Sequence, residues 1–375
     1  MRFGLTYDFR NPPKFQRNSA DLYQQLIDQI VTAETLGFDQ VWLTEHHFTN
    51  DGYNPSVMPM AAAIASRTTR IRIGTFVLIL PFHDPLRVAE DATCVDLISG
   101  GRFDLGVGLG YTADEYQILG IDRRERAARL EEGLDIIKRL WLEKSVSVDG
   151  QFTQLQQATL SPKPVQSPHP PIWIGARAGK AIDRAGRLGV NLLTTIGPDP
   201  APHFRNALSV NGFTPDEHEI GQLRLIYCAP TEDQAWSEVA EFLHLSMSYY
   251  GKVMGETPEA VGDKNLWNFT SPEEIRYSGL GRAATIGTPD QVIGKLDSWL
   301  ENHHCSQIIC STHLAGMDPA KSTASMRLFA EEVMPLQVST ASLNCSAPFK
   351  SRFSFVYKRL RSFLMIISLT SANMV

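Results

Sequence analysis

The sequence predicts an α/β chain folded as a TIM (β/α)₈ barrel with insertions. Short apolar runs rich in β-branched residues alternate with longer stretches of helical periodicity, which is typical of βαβ units around a parallel sheet. Eight strands, each followed by a helix, suffice to close such a barrel. The chain has 375 residues, 43% of them hydrophobic, and so can bury a core of this size. A doubly wound sheet is the alternative fold.

Eight runs are short and apolar enough to be strands rather than helices. They occupy 2–7, 39–44, 71–80, 103–108, 171–175, 190–195, 222–228 and 306–311. The longer segments between them repeat apolar residues at helical spacing. They occupy 20–36, 56–67, 85–98, 122–142, 178–187, 201–209, 231–250, 288–302 and 322–334.

Two segments fall outside this alternation. Residues 145–170 predict a short hairpin followed by an extended, proline-rich connection. Residues 251–285 are rich in Gly and polar residues and predict a long loop, which we expect to be a mobile lid over the barrel mouth.

Composition changes after residue 337. The last 38 residues hold five basic residues and no acid. Subtracting those five from 35 basic residues leaves 30 against 41 acidic residues, a formal charge of −11 for 1–337. We therefore predict a barrel domain at 1–337 and a basic tail at 338–375 that is disordered or a non-native extension. A basic amphipathic segment that binds a membrane or a partner is the alternative.

Composition also disfavours several partners. The net charge of −6 gives no sequence-wide basic signal for a nucleic acid. The apolar runs are too short to span a bilayer, and the first 20 residues become polar too soon for a secretory signal, so no membrane partner is expected. Five cysteines without a CxxC pair favour a reducing compartment, which predicts a cytoplasmic protein.

The densest polar group at a predicted strand end is Glu45-His46-His47, after the second strand. In a TIM barrel, chemistry takes place at the carboxyl ends of the strands. Alternation places Glu45 and His47 on one face and His46 on the other, but at a turn both imidazoles can reach the mouth, and two histidines beside a carboxylate are candidates for catalysis. A hydrogen-bonded structural histidine is the alternative. Neither HxH nor HExxH occurs, so no metal centre is predicted.

The fifth predicted strand runs directly into a helix at Arg177 and Lys180, where free backbone N–H groups suit a phosphate monoester. An ordinary barrel turn is the alternative. The glycines at 106, 108 and 110 include a relaxed GxGxxA match, but the acidic residue of a dinucleotide site is missing. We interpret these glycines as a strand end where a flat ligand approaches the backbone.

Four segments together resemble the bacterial luciferase-like flavin-dependent monooxygenases. They are GFDQVWLTEHHF (37–48), TRIRIGTFVLILPFHDPLRVAEDATCVDLISGGRFDLGVGLGY (69–111), PPIWIGARA (170–178) and SMRLFAEEVMP (325–335). The resemblance covers about residues 1–337. It implies a TIM-barrel homodimer that takes reduced FMN from a separate flavin reductase and uses dioxygen to oxidise a small apolar substrate. An F420-dependent oxidoreductase and a flavin-binding protein without turnover are the alternatives.

The resemblance also implies residue roles. His46 matches the catalytic histidine, Glu45 and His47 lie beside the flavin, and Leu109 belongs to the apolar wall of the pocket. Phe76 and Val77, joined by a cis peptide bond, support the isoalloxazine. The phosphate is bound by Arg126, Ala176, Arg177, Ala178 and Gly179. The luciferases proper carry Cys and Arg where this chain has Gly108 and Leu109, so light emission is not expected.

Overall fold

The computed structural model describes residues 1–177, 179–255 and 269–337. Within them, eight parallel strands close into a barrel surrounded by helices, so the predicted TIM barrel is confirmed. The proposed tail, 338–375, lies outside the described residues, as does part of the predicted lid, and the division into domain and tail stays a prediction.

The structure describes twelve strands, eight of which follow one another in chain order around the barrel. They are β1 (Arg2–Tyr7), β2 (Gln40–Leu43), β3 (Arg72–Thr75), β4 (Leu78–Ile79), β5 (Phe103–Gly108), β6 (Val146–Asp149), β7 (Gln154–Ala158), β8 (Ile172–Gly175), β9 (Asn191–Thr194), β10 (Ile220–Cys228), β11 (Thr285–Gly287) and β12 (Gln307–Ser311). The barrel order is β1-β2-β3-β5-β8-β9-β10-β12, and β12 pairs with β1 to close it. β6 and β7 form the predicted hairpin. β11 adds a short parallel pairing to β10.

The helices cover the outside of the barrel. They are α1 (Ser19–Thr35), α2 (Val57–Arg67), α3 (Pro85–Ser99), α4 (Ala113–Ile118), α5 (Arg126–Leu142), α6 (Gly179–Leu188), α7 (Ala201–Val210), α8 (Glu232–Gly255), α9 (Pro272–Tyr277), α10 (Gly279–Ala283), α11 (Pro289–Leu300) and α12 (Pro319–Glu332). Local signals set several ends: Asp84 caps the first amides of α3, and Gly100, with φ of 67°, ends it.

The prediction of a long loop at 251–285 is wrong for its described part. α8 continues to Gly255, and α9, α10 and β11 follow within residues 272–287. These elements escaped prediction because each is too short to show periodicity, although Ser271 and Pro272 form an ordinary helix start at α9. In the ranges given above, no helix combines the length and the apolar character needed to span a bilayer.

The barrel interior contains a hydrogen-bonded polar network near the amino-terminal ends of the strands. We call it the interior network; it consists of Gln40, Trp42, Arg72, Asp104, Trp173 and Gln307. Asp104 is its centre and accepts hydrogen bonds from Arg72 Nε at 2.7 Å, Gln40 Nε2 at 2.9 Å and Trp173 Nε1 at 3.1 Å. Buried polar groups are stable when paired in this way.

The strand predicted at 71–80 is interrupted between β3 and β4. The peptide bond between Phe76 and Val77 is cis, as the resemblance implies. Gly74 pairs with Asp104 but Leu78 pairs with Val107, so β3–β4 has one more residue than β5 over this stretch. The extra residue forms a β-bulge between β3 and β4, and the chain bends at this point.

The bulge corrects our interpretation of the β5 glycines. A Cβ at Gly106 would collide with the carbonyl oxygen of Thr75, and a Cβ at Gly108 would collide with the side chain of Val77. The absent side chains therefore make room for the protein's own bulge. They do not open the backbone to a flat ligand.

Candidate active site

The predicted site residues gather at the barrel mouth, the end formed by the carboxyl ends of the strands. Glu45, His46 and His47 follow β2, Phe76 and Val77 join β3 to β4, Leu109 follows β5, Arg126 begins α5, Ala176 and Arg177 follow β8, and Gly179 begins α6. Ala178 lies outside the described residues. Because the βα loops converge at this end, these residues share one surface.

Glu45 is buried and accepts three hydrogen bonds. Its Oε1 lies 2.6 Å from His47 Nε2 and 2.7 Å from His83 Nε2, and its Oε2 accepts the backbone N–H of Ile79 at 3.1 Å. Burial alone would raise the pKa of Glu45, but the hydrogen bonds from the two histidines outweigh it and hold that pKa at about 2. Glu45 is therefore an ionised carboxylate that joins the β2 end to the β4–α3 loop.

The same three side chains bring their ligand atoms within 4.8 Å of one another, so they are a possible metal-binding group. The sequence search missed this group because His83 comes from another loop. However, the 2.6 and 2.7 Å separations are hydrogen-bond distances. Two ligands bound at about 2.1 Å to one tetrahedral ion would lie farther apart, so hydrogen bonding is the better description, and the predicted absence of a metal centre stays a prediction.

His46 is held by a partner at each ring nitrogen. Nδ1 lies 3.0 Å from Glu115 Oε1, and Nε2 lies 2.6 Å from the hydroxyl of Tyr111. Glu115 is buried, and its Oε1 also accepts the backbone N–H of His47 at 2.7 Å. A carboxylate can only accept, so Nδ1 carries a proton toward Glu115 and Nε2 accepts from Tyr111. Burial raises the pKa of Tyr111 well above its usual range, which keeps the phenol protonated.

Aromatic rings enclose the imidazole. The rings of Tyr53 and Tyr111 pack edge-on against His46 at 4.7 and 4.8 Å between centroids. The hydroxyls of Tyr53 and Tyr250 are 3.5 Å apart, so α8 reaches over this part of the mouth. His46 is consequently shielded from bulk water and fixed in orientation.

The residues predicted to support a flavin pack on the inner tryptophans. Phe76 and Val77 contact the cluster formed by Trp42, Trp173 and neighbouring apolar residues, and Phe76 lies 6.4 Å from Trp42 between ring centroids. Leu109 packs against the main core, and its carbonyl accepts the hydroxyl of Tyr116. The bulge therefore packs on buried aromatic and aliphatic side chains of the barrel interior.

The predicted phosphate residues lie on neighbouring loops. Arg126 Nη1 donates to the carbonyl of Gly110 at 3.1 Å, which places this guanidinium at the end of β5. The N–H of Ala176 is already used, because it donates to Leu193 at 2.8 Å. Arg177 is exposed and Gly179 opens α6. The loop thus offers Arg177 and the first amides of α6 to a ligand.

Sequence analysis missed Glu115, Tyr111 and His83 as site residues. Glu115 stands beside Asp114 in the first turn of α4, and only the fold shows which carboxylate turns inward. Tyr111 directly follows the β5 glycines, and its position at a strand end was an available signal.

We expect Glu115→Gln to lower product formation about tenfold, because the charged hydrogen bond that orients His46 is replaced by a neutral one. Steady-state turnover at saturating substrate measures this effect. The amide fits the same space, so the melting temperature should stay near that of the wild type. Asp114→Asn, on the exposed side of the same turn, is the matched control; equal turnover in both variants and the wild type would contradict the orienting role.

The Glu45–His47 pair should make stability depend on pH. The pKa of Glu45 falls from 4.5 to about 2 on folding, so its contribution is complete above pH 4.5 and disappears as the pH falls through about 2. Burial lowers the pKa of His47, but Glu45 more than compensates and raises it above 6.5. The His47 contribution is therefore complete below pH 6.5 and disappears as the pH rises through the raised value. The pair is most stabilising between those limits.

Urea unfolding between pH 2.5 and 8 tests this. In Glu45→Gln, the rise in unfolding free energy between pH 2.5 and 4.5 should be smaller than in the wild type, whereas Glu143→Gln, at an exposed glutamate, should keep the wild-type curve. Parallel curves for Glu45→Gln and wild type would show that the pair does not couple stability to pH.

Comparison with known proteins identifies the family. A model of the luciferase-like monooxygenase family matches residues 1–303. The oxygenase component of a flavin-dependent trigonelline monooxygenase from Acinetobacter baylyi is 28% identical over 354 residues, 89% of this chain and 95% of the relative. An F420-dependent glucose-6-phosphate dehydrogenase from Microbacterium testaceum is 28% identical over 328 residues, 83% and 92% of the two chains.

A solved structure has the same architecture. The crystal structure of the monooxygenase RslO1 from Streptomyces bottropensis superposes with a TM-score of 0.77 at 26% identity and covers 89% of this chain and 99% of that one. The family match spans well over half of the sequence and includes the strand ends that carry His46, the bulge and the arginine at the start of α5. The chain belongs to the luciferase-like monooxygenase family.

Proposed function

We propose that this chain is the oxygenase component of an FMN-dependent monooxygenase that oxidises a small organic substrate. The observation that carries the proposal is His46, buried at the barrel mouth with Nδ1 on Glu115 and Nε2 on Tyr111. Oxygenation requires a proton to be delivered or removed in a site that excludes water. A buried imidazole with a hydrogen-bond partner at each ring nitrogen can carry out that transfer. The similarity to a flavin-dependent oxygenase component supports the same conclusion.

The mouth has donors that fit the phosphate of FMN. In the described ranges, Nε and Nη2 of Arg123 are buried without a hydrogen-bond partner. Tyr116, whose hydroxyl reaches the β5 end, lies in the electrostatic field of both Arg123 and Arg126. A dianionic phosphate would satisfy such donors, so we assign its binding to Arg123, Arg126 and Arg177 and to the loop of Ala176, Ala178 and Gly179 that leads into α6, in which Ala176 lines the site without donating its N–H.

The other assigned residues fit the ring and the chemistry. Phe76 and Val77, with Leu109, would support the isoalloxazine, and Glu45 and His47 would lie beside it. Reduced FMN, when bound, supplies the electrons that activate dioxygen. His46 moves a proton at Nε2, Tyr111 carries that proton to or from the pocket, and Glu115 keeps the imidazole in the required tautomer.

An F420-dependent hydride transfer is the second candidate, because an F420-dependent relative matches this chain at the same identity. Titration of the purified chain with reduced FMN and with reduced F420 separates the two. We expect saturable FMN binding, together with product that contains an oxygen atom from dioxygen when a flavin reductase and NAD(P)H are supplied. Binding of F420 alone would overturn the FMN assignment; FMN binding without any turnover over a substrate panel would indicate a binding protein.

Removing an arginine that binds the phosphate should weaken FMN binding and change turnover little. Arg126→Ala or Arg177→Ala is expected to reduce FMN affinity by about 1.5 to 3 kcal/mol, the range for a hydrogen bond to a charged group. Fluorescence titration of FMN measures this, and turnover at saturating FMN should change little. Arg124→Ala, an exposed arginine in the same segment, is the control. Unchanged FMN affinity in both variants would place the phosphate elsewhere.

Three further assignments complete the proposal: a reductase partner, a homodimer and a cytoplasmic location. A separate flavin reductase would supply the reduced cofactor, as expected for an oxygenase component. We propose a homodimer, since α3 exposes Leu97 and Ile98, and light scattering in solution tests it. We also propose the cytoplasm, because the four described cysteines are free thiols.

A further inference from the structure

The barrel mouth contains a second group of buried polar residues that the proposed proton transfer does not use. Arg10 lies in the loop after β1, and Asp51, Tyr53 and Asn54 lie in the loop after β2. Tyr249 of α8 closes the group from above. We call these five residues the Arg10 cluster.

Arg10 is held rigidly but is not saturated. Its Nε and Nη2 lie 2.7 and 2.6 Å from the same oxygen of Asp51, and its guanidinium stacks at 4.3 Å over Tyr249. Only 2% of the residue is exposed. Among the described residues, Nη1 has no hydrogen-bond partner. A guanidinium donor is costly to bury without an acceptor, so this atom indicates an acceptor that the described residues do not supply.

The geometry of the guanidinium shows where that acceptor belongs. Nε and Nη2 form one edge of the planar group and face Asp51, so Nη1 points away from Asp51. Asn54, in the neighbouring loop, also has a buried Nδ2 without a partner in the described part of the chain. Two unused donors on adjacent loops are a more specific signal than one.

The Arg10 cluster borders the proposed reaction centre. Tyr53 is common to both: the His46 imidazole packs against its ring at 4.7 Å, and the Arg10 guanidinium lies 5.4 Å from the same ring centroid. Tyr111, which contacts His46, also lies within the electrostatic field of Arg10. A molecule bound at Nη1 would therefore lie close to His46.

The charges around Arg10 determine which kind of ligand group can accept a hydrogen bond from Nη1. Asp51 already pairs with Arg10, and Asp8 accepts the backbone N–H of Arg10 at 3.1 Å and lies within its electrostatic field. Burial raises the pKa of Asp8, but the Asp51 carboxylate alone already balances the Arg10 charge, and its Oδ1 is a further unused acceptor in the described structure. A carboxylate ligand would meet this negative charge. A neutral carbonyl oxygen accepts from Nη1 without that repulsion.

We propose that Arg10 anchors the substrate through Nη1 and that the substrate carries a neutral carbonyl oxygen, as a ketone, lactam or quinone does. That the bound carbonyl compound is the molecule oxidised rests on the proposed function. The binding site itself rests only on the Arg10 cluster.

Three probes of similar size test the site: acetophenone, benzoate and ethylbenzene. Dissociation constants are measured with the full chain by quenching of its intrinsic fluorescence, with and without FMN. We expect acetophenone to bind at least about tenfold more tightly than either of the others, because it alone offers a neutral acceptor to a charged donor.

Two variants assign the preference to Arg10. Arg10→Lys keeps a cation beside Asp51 but removes the planar donor fork, and Arg10→Met/Asp51→Leu removes the pair together, which avoids an isolated buried charge. Both should lose the preference for acetophenone, while the dissociation constants for ethylbenzene and FMN change less than about twofold. Melting temperatures identify a variant that fails to fold; in that case the wild-type probe series and Asn54→Leu, which removes the second donor, still decide.

The outcomes separate the two proposals. Equal affinity for acetophenone and ethylbenzene would mean that Nη1 is satisfied by water, and it would overturn the anchor; tighter binding of benzoate would overturn the neutral class. Selective acetophenone binding without FMN binding would leave the Arg10 site standing and overturn the FMN assignment. FMN binding and turnover without carbonyl selectivity would do the reverse.

Discussion

His46→Ala is expected to lower product formation by about 10²-fold or more, which is the contribution of a positioned acid or base. The variant removes the imidazole that links Glu115 to Tyr111, so no proton can pass through Nε2. FMN affinity should change little, because the proposed phosphate donors lie on other loops. Product is measured under saturating FMN with a supplied reductase, and hydrogen peroxide is measured in parallel.

The control for this variant is His304→Ala, at an exposed histidine just before β12 on the opposite end of the barrel. Full product formation by His46→Ala would show that His46 is a structural histidine and that the proton moves elsewhere. A rise in peroxide with loss of product would instead place the action of His46 after oxygen has reacted.

Asp104→Ala should lower the free energy of unfolding by about 3 to 5 kcal/mol, because it removes a buried carboxylate that pairs with the partly exposed Arg72 guanidinium. The substitution also removes the acceptor for Gln40 and Trp173. Urea unfolding of this variant and of Asp135→Ala, an exposed aspartate on α5, measures the difference. A loss below about 1 kcal/mol would mean that water or a neighbouring acceptor replaces the carboxylate.

Sequence patterns predicted the parts of the fold that repeat. The eight barrel strands, the hairpin and nine helices arise from periodicity and length, and Glu45-His46-His47 was found because strand ends are the reactive positions of this fold. β4 was not separated from β3, because both halves are apolar and a bulge leaves no trace in periodicity. The short helices α4, α9 and α10 carry too few residues to show a period.

The partners of the site could not be predicted for a different reason. Glu115 lies 69 residues from His46, and His83 lies 38 residues from Glu45. Arg10 and Asp51 are likewise brought together only when β1 and β2 become neighbours. Side chains on different loops meet only when the barrel closes. A single sequence can therefore indicate one residue of such a pair, but it does not show which of many other polar residues is the partner.

The bulge between β3 and β4 also constrains how this barrel can evolve. The side chain of Val77 occupies the volume that a Cβ would need at Gly108 and at Gly175. These three positions therefore share one volume, and a larger residue at 108 or 175 requires a smaller one at 77. Natural variation and engineering at this end of the barrel should consequently proceed by compensated exchanges among these positions, in which side-chain volume is redistributed between neighbouring strands.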